Sequence, residues 1–305
     1  MFSSCRDAGG CQAQPFVYRV WVLVVRILSC LVGIGLVFSS TSFAIANCAP
    51  DALGTARTIV LDPNKHRSLN GKEASLGLRH KEVILTFDDG PQAKLTDRVL
   101  AALKRHCTKA TFFSIGKMAL GLPEIIRRVH KAGHTVASHT WSHKNLGSKK
   151  NKAIAIEEIE KGISAVKRAV GKPIAPFFRY PFLRDSKESL GHLAKRNLAI
   201  FSMDVDTFDF KYRDPRKLAQ KAVEKMKAAG KGILLMHDIQ PVTAKAILPI
   251  LDGLQAAGFK VVHMTAAFPV TSLPKYDKAI EKNVRGLGTP GSSRPTSSVV
   301  KTITQ

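Results

Sequence analysis

A chain of 305 residues, 45% of them hydrophobic, can bury one large core or two small ones, and 47 Lys and Arg against 23 Asp and Glu give it a formal charge of +24. That surplus favours anionic partners, but the basic residues are dispersed, and no paired CxxC, ribonucleoprotein motif or basic zipper accompanies them. The composition therefore argues against a nucleic-acid module and leaves two readings of the charge, an anionic envelope polymer or solvated helix faces.

The N-terminus reads as an export signal. Arg6, Arg19 and Arg26 precede an apolar stretch over 27–38, and the segment closes on Ala44-Ile45-Ala46. A basic flank, a short apolar run and A-x-A describe a secretory signal peptide over 1–46, cleaved after Ala46. Arg26 interrupts the longer apolar run, so an uncleaved membrane anchor over 17–38 is the competing reading. Both readings put the bulk of the chain outside the cytoplasm, in the periplasm or the extracellular space. Loss of 1–46 leaves Cys48 and Cys107, open to two states in an oxidising compartment: one disulfide, or two free thiols.

Residues 47–80 show no clear periodicity and read as an irregular extension. From Lys81 strand and helix alternate: a buried strand over 83–87, an amphipathic helix over 96–106, a strand over 110–114, a helix over 123–131 and a strand over 134–138. A long helix over 153–170 carries i,i+4 charge pairs. It is followed by a strand over 176–180 and a helix over 186–196 that Ser186 can cap, with Glu188 in its first turn. A strand over 198–203, a helix over 215–229 opened by Pro215, a strand over 233–236, a helix over 243–257 and a strand over 259–263 complete the series. Gly171, Gly230 and Gly258 stand just past three of these helices, where a left-handed terminator belongs. Repeated βα units imply parallel strands with right-handed crossovers. About seven such units can close into an irregular barrel or lie open as a doubly wound sheet, and periodicity does not choose. The units define one domain over 81–270. The Gly, Pro, Ser and Thr of 271–305 read as a disordered tail.

In a parallel β/α fold, catalytic groups gather at the C-terminal ends of strands. Asp88-Asp89 ends the first strand, His139 follows the third, Arg179 ends the fourth, Asp204, Asp206 and Asp209 follow the fifth, and His237-Asp238 follows the sixth. In His139-Thr140-Trp141-Ser142-His143, a helical turn would place both imidazoles on one face, able to grip one cation. A carboxylate from another strand end would then complete a three-ligand site with open positions, the mark of a catalytic centre. Neighbouring carboxylates repel, and a metal on one with an Arg beside the other would relieve that cost. Two His and a carboxylate also describe non-haem iron oxygenases, but those place the carboxylate two residues after the first His, where Trp141 stands.

Five segments then fall in a specific order: Thr86-Phe87-Asp88-Asp89-Gly90-Pro91, His139 to His143, Arg179-Tyr180-Pro181-Phe182, Asp206-Thr207-Phe208-Asp209-Phe210 and Leu234-Leu235-Met236-His237. Together they resemble the motifs of the polysaccharide deacetylases, also called carbohydrate esterase family 4. The resemblance implies a distorted, TIM-like (β/α) barrel of about seven parallel strands. It also implies N-deacetylation of an N-acetylglucosamine glycan such as peptidoglycan, a chitin-like oligomer or an exopolysaccharide. By the same resemblance Asp89, His139 and His143 would hold a divalent metal, usually zinc. Asp88 would be the general base held by Arg179, and His237 the general acid supported by Asp209. Tyr180, Pro181, Phe182, Phe210 and Leu235 would face the substrate. The family's fourth motif commonly ends in Asp-Trp, and Phe210 takes the Trp position here. A catalytically silent glycan binder is the alternative, although every motif-level polar group survives.

Overall fold

The computed structural model describes residue 48 and residues 52–65, 68–69 and 76–285, so the export-signal expectation over 1–46 lies outside the described residues. The central strand is β3 (Glu82–Asp88), buried along its whole length as a parallel strand covered on both faces should be. It pairs with β9 (Gly232–His237) over residues 83–88, with β4 (Thr111–Ser114) over 86–88 and with β10 (Lys260–Ala266) over 82–83. Beyond β4 come β5 (Thr135–Ser138), β6 (Phe177–Phe178) and β7 (Ala199–Phe201), while β8 (Val205–Asp206) lies against β9. All of these pairings are parallel.

Side-chain alternation shows that the sheet curls. Ile84, Phe113, Ala137, Phe177, Phe201, Ile233 and Val262 come from seven different strands yet share one core cluster. Phe113 and Phe201 lie three strands apart along the sheet yet bring their ring centroids within 5.3 Å, which a flat sheet could not do. Their neighbours Val83, Leu85, Phe87, Phe112, Val136, Phe178, Leu234 and Met236 belong to a second cluster under the helices. The architecture is a distorted barrel whose hydrogen bonding passes from β7 to β2 (Ser68–Leu69) and leaves no ladder between β7 and β8 among the described residues.

The surrounding helices are α1 (Leu95–Arg105), α2 (Gly116–Gly121), α3 (Pro123–Lys131), α4 (Ala155–Val170), α5 (Lys187–Lys195), α6 (Pro215–Ala229), α7 (Pro241–Ala256) and α8 (Pro274–Arg285). Ser186 caps α5 by accepting from the Ser189 N–H, as its position before the helix suggests. Among the described residues no helix is long and apolar enough to cross a membrane.

Three expectations are corrected. The stretch 47–80 is not wholly irregular: β1 (Thr55–Leu61) pairs with β10, and β2 pairs with β7. Its β-branched residues favour a strand, but β1 lies half-exposed at the sheet edge, so its apolar pattern is weak. Residues 274–285 of the expected tail form α8, with Ile280 fully buried and Asp277 and Glu281 approaching Lys167 and Arg168 of α4. The helix α2 was not expected; it fills the gap between β4 and α3. Of the two states open to the cysteines, the bridged one is present: Cys48 and Cys107 form a disulfide with Cα atoms 5.7 Å apart.

Candidate active site

The parity that sorts the core also aims the site. Ile84 faces the barrel interior, so Thr86 and Asp88 follow it inward along β3. The same alternation turns Arg179 inward after Phe177, His139 after Ala137 and His237 after Ile233. Asp88 and His237 are direct register partners on β3 and β9. Polar groups thus meet where the apolar interior ends.

Asp89 Oδ1 lies 3.4 Å from His139 Nε2 and 3.3 Å from His143 Nε2. All three residues are buried, and one ligand atom from each falls within 4.8 Å of the others. His139 Nδ1 donates to the Arg179 carbonyl at 2.7 Å, which fixes the ring with Nε2 facing Asp89. Burial pushes His143 down to about 4, so it is neutral near pH 7. Burial alone would raise Asp89, but His143 and His139 hold its carboxyl well below the ordinary carboxylate range. Asp89 Oδ1 is nevertheless a buried oxygen without a hydrogen-bond partner among the described residues. A carboxylate oxygen buried without a partner between two imidazoles is costly unless a cation sits among them. One carboxylate and two imidazoles suit a divalent ion such as zinc.

The two imidazoles do not converge through a helical turn. Thr140 and His143 have φ of 68° and 58°, and the segment bends instead. It is braced by α4. The Glu158 carboxylate accepts from the Ser142 N–H at 2.8 Å and from its hydroxyl at 2.6 Å, and the Trp141 N–H donates to the Glu158 carbonyl at 2.8 Å. One turn on, a Cβ at Gly162 would overlap the Thr140 backbone. Sequence reasoning passed over both residues, although Glu158 on the apolar stripe of α4 was an available signal.

Arg179 is fully buried. Its Nη1 donates to Asp88 Oδ1 at 2.7 Å and to Thr86 Oγ1 at 2.9 Å, its Nη2 donates to the Ser202 carbonyl at 2.8 Å, and its guanidinium lies 4.4 Å from the Phe113 ring centroid. Asp88 is thereby held in one orientation, with Oδ2 3.9 Å from His139 Nε2. Across the register, His237 Nδ1 donates to Asp209 Oδ1 at 2.7 Å. Asp209 Oδ2 accepts from the His237 N–H at 2.7 Å and from the Thr243 hydroxyl at 2.5 Å. Burial pulls His237 down, but the charge and hydrogen bond of Asp209, with Asp89 and Asp88 behind them, push it up to about 10. The imidazole is therefore cationic at neutral pH.

These groups open into a cavity of about 400 Å³. Tyr180, Phe182, Phe210 and Leu235 line it as the sequence suggests, joined by Leu183 and Gln240, which sequence reasoning did not single out. Pro181 is buried and does not line the cavity. Asp204 accepts from the Ile233 N–H, a structural role. Asp238, marked in the sequence only as a polar strand-end residue, packs so tightly beneath the Gly90-Pro91 turn that any Cβ at Gly90 would overlap its carboxylate. Thr96 Oγ1 donates to it at 2.5 Å, and burial pushes it up to about 7.

The polysaccharide deacetylase profile matches residues 77–200. The peptidoglycan N-acetylglucosamine deacetylase PgdA of Listeria monocytogenes is 33% identical over 186 residues, which cover 60% of this chain and 38% of the relative. A chitooligosaccharide deacetylase of a Bradyrhizobium strain is 30% identical over 195 residues, covering 59% of this chain and 88% of the relative. Among solved structures, the peptidoglycan deacetylase Bd3279 of Bdellovibrio bacteriovorus aligns with a TM-score of 0.62 and 31% identity over 70% of this chain and 59% of that one. The match thus spans well under half the length of the Listeria relative.

Proposed function

The chain belongs to the polysaccharide deacetylase family, and from that premise we propose that it hydrolyses N-acetyl groups of an N-acetylglucosamine-containing glycan, releasing acetate. A divalent cation held by Asp89, His139 and His143, zinc in this reading, would supply Lewis-acid polarisation of the amide and of water. Asp88, fixed by Arg179, takes a proton from the attacking water. His237, kept protonated by Asp209, gives a proton to the departing nitrogen, so the C–N bond breaks to a free amine and acetate. Phe182, Phe210 and Leu235 supply apolar walls that limit water around the reacting amide.

The observation that carries this reading is the pairing of charge states. A carboxylate tied to Arg179 and an imidazolium tied to Asp209 stand in register on adjacent strands, beside a buried carboxylate oxygen with no partner of its own. A silent glycan binder would have no use for that arrangement.

The relatives' names point to peptidoglycan or chitooligosaccharide as substrate. The basic surface favours an anionic envelope polymer, and the N-terminal segment favours export to the periplasm or beyond. The test is acetate release from chitin oligomers, poly-N-acetylglucosamine and peptidoglycan in parallel, before and after chelation and with zinc restored. Acetate from at least one substrate, lost with chelator and regained with zinc, is the expected result. Binding without acetate release from any of them would sink the enzymatic reading. N-terminal sequencing of the mature protein should begin at Asn47; an intact N-terminus in the membrane fraction would favour the anchor.

A further inference from the structure

Beyond the cavity wall, the segment after β8 does something unusual. Phe208 sits in the left-handed region, at φ 51° and ψ 37°, where an aromatic residue is strained. It is held there by its N–H donating to Asp206 Oδ1 at 2.7 Å, and Lys225 Nζ donates to the Asp206 carbonyl at 2.8 Å. The strain gains no burial, because Phe208 is 38% exposed and Phe210 is 49% exposed. Strain that ends in an exposed ring beside a catalytic cavity points to a ligand.

The surroundings of that ring specify the ligand further. Lys211 Nζ lies 4.5 Å and Lys225 Nζ 4.6 Å from the Phe208 ring centroid, and Lys211 is also 5.9 Å from Phe210. Neither ammonium has a carboxylate ion-pair partner among the described residues. Of the nearby acids, Asp206 turns Oδ1 to the Phe208 N–H and lies within electrostatic reach of Lys225 without pairing with it, and Asp209 is bound to His237 and Thr243. Two ammoniums on one ring without an ion-pair partner offer charge that a bound anion would neutralise. Phe210 lies between this cluster and the acid, with ring centroids 5.9 Å from His237 and 6.1 Å from Phe208. A glycan with its reacting sugar in the cavity would lay the next sugar on Phe208.

We propose that Phe208, Lys211 and Lys225 form a subsite for the sugar next to the one being deacetylated, and that it selects glycans in which that neighbour carries a carboxylate. In an acidic amino-sugar polymer the carboxylate can sit on a lactyl ether of the sugar or on a peptide attached through it; a neutral chitin-type oligomer has neither. The inference rests on the deacetylase reading of the adjoining cavity, so its test includes a readout that does not need turnover.

Binding and acetate release are measured for three ligands of matched length: chitin oligomers, peptide-free peptidoglycan strands that keep the lactyl carboxylate, and strands that keep the peptide. The wild-type protein should bind the acidic strands about fivefold more tightly than chitin oligomers at low salt, with the preference fading as salt rises. K211E and the milder K211Q, at an exposed position, should erase that preference through KM rather than kcat, while chitin oligomers change by no more than about twofold. F208A should weaken all three, because it removes the stacking face. A Lys211 effect on peptide-free strands places the carboxylate on the sugar, and an effect confined to peptide-bearing strands places it on the peptide; either supports the subsite. Equal wild-type affinity for acidic and neutral ligands, or equal loss on all three in K211E, would overturn it. Absence of acetate from every ligand would overturn the deacetylase reading instead, with the binding arm still deciding the subsite.

Discussion

His139 and His143 beyond the C-terminal end of β5, and His134 and His263 at the barrel wall, are four buried imidazoles. Burial pushes His134 down to about 3 and His143 and His263 down to about 4, so depth and charge state do not set His143 apart from the wall pair. Their partners do. In the wall, His134 Nδ1 accepts from the Ala110 N–H at 3.2 Å, and His263 Nε2 donates to Thr135 Oγ1 at 2.9 Å, whose own proton goes to the Met264 carbonyl. At the strand ends, both Nε2 atoms face an Asp89 oxygen that nothing else satisfies. A buried histidine pair becomes a candidate site when the fold leaves a ligand-sized need between its members.

Breaking the reactive pair should cost most. Asp88→Asn keeps the Arg179 hydrogen bond but removes the proton acceptor, so kcat should fall by about a thousandfold while metal content stays at the wild-type level. Loss of the metal in that variant would count against Asp88 as the base. His143→Ala should lower zinc affinity by at least about tenfold, and activity at limiting zinc should fall with it. Elemental analysis after dialysis measures this, and unchanged occupancy would remove His143 from the ligand set. His263→Gln, in the same assays, should match the wild type in both metal and turnover.

This contrast was partly legible in the sequence. Pro123 and Pro215 punctuate their helices so sharply that α3 and α6 begin where the residues say they should. Polar residues ending apolar strands marked Asp88, His139, Arg179 and His237. Spacing could not show how His139 and His143 meet, because a bend through positive φ at Thr140 brings the same two residues together as a helical turn would. The contacts of the braces were illegible for a different reason, even where a charge on an apolar stripe marked the residue, as at Glu158. Glu158, Gly162 and Asp238 act by close approach to segments far along the chain, and no local pattern encodes such contacts. The edge strand β1 and the helix α8 escaped because each commits few apolar residues to the core, Ile280 being the buried anchor of α8.

A smaller effect sharpens the account of the acid. The unfolded His237 titrates near 6.5 and the folded one at about 10, so the folded state binds the proton more tightly across that window. The stabilising contribution is complete below about 6.5 and is lost as pH rises towards about 10. In metal-free protein, Asp209→Asn should lower the His237 pKa seen by NMR and flatten the fall in urea midpoint between about pH 7 and pH 9. An unmoved resonance would mean that Asp209 does not hold the proton on His237. The same variant should slow turnover by about tenfold, since a weaker hold on the proton leaves less of the acid form at neutral pH.

The wall pair yields the smallest effect on chemistry and the opposite slope in stability. His134 titrates at about 3 when folded and near 6.5 when unfolded, so here the unfolded chain binds the extra proton. Its contribution is present above about 6.5 and is lost as pH falls towards about 3. Between about pH 7 and pH 5 the difference amounts to about 2 kcal/mol, because the unfolded imidazole takes up most of its proton there and the folded one takes up almost none. His134→Gln retains an acceptor for the Ala110 N–H but cannot titrate, so its urea midpoint should fall less than the wild type's over that interval. Acetate release should be unchanged, because no atom of His134 reaches the cavity. If the variant instead lost activity with its stability intact, the separation of a wall pair from a working pair would fail at its quieter end.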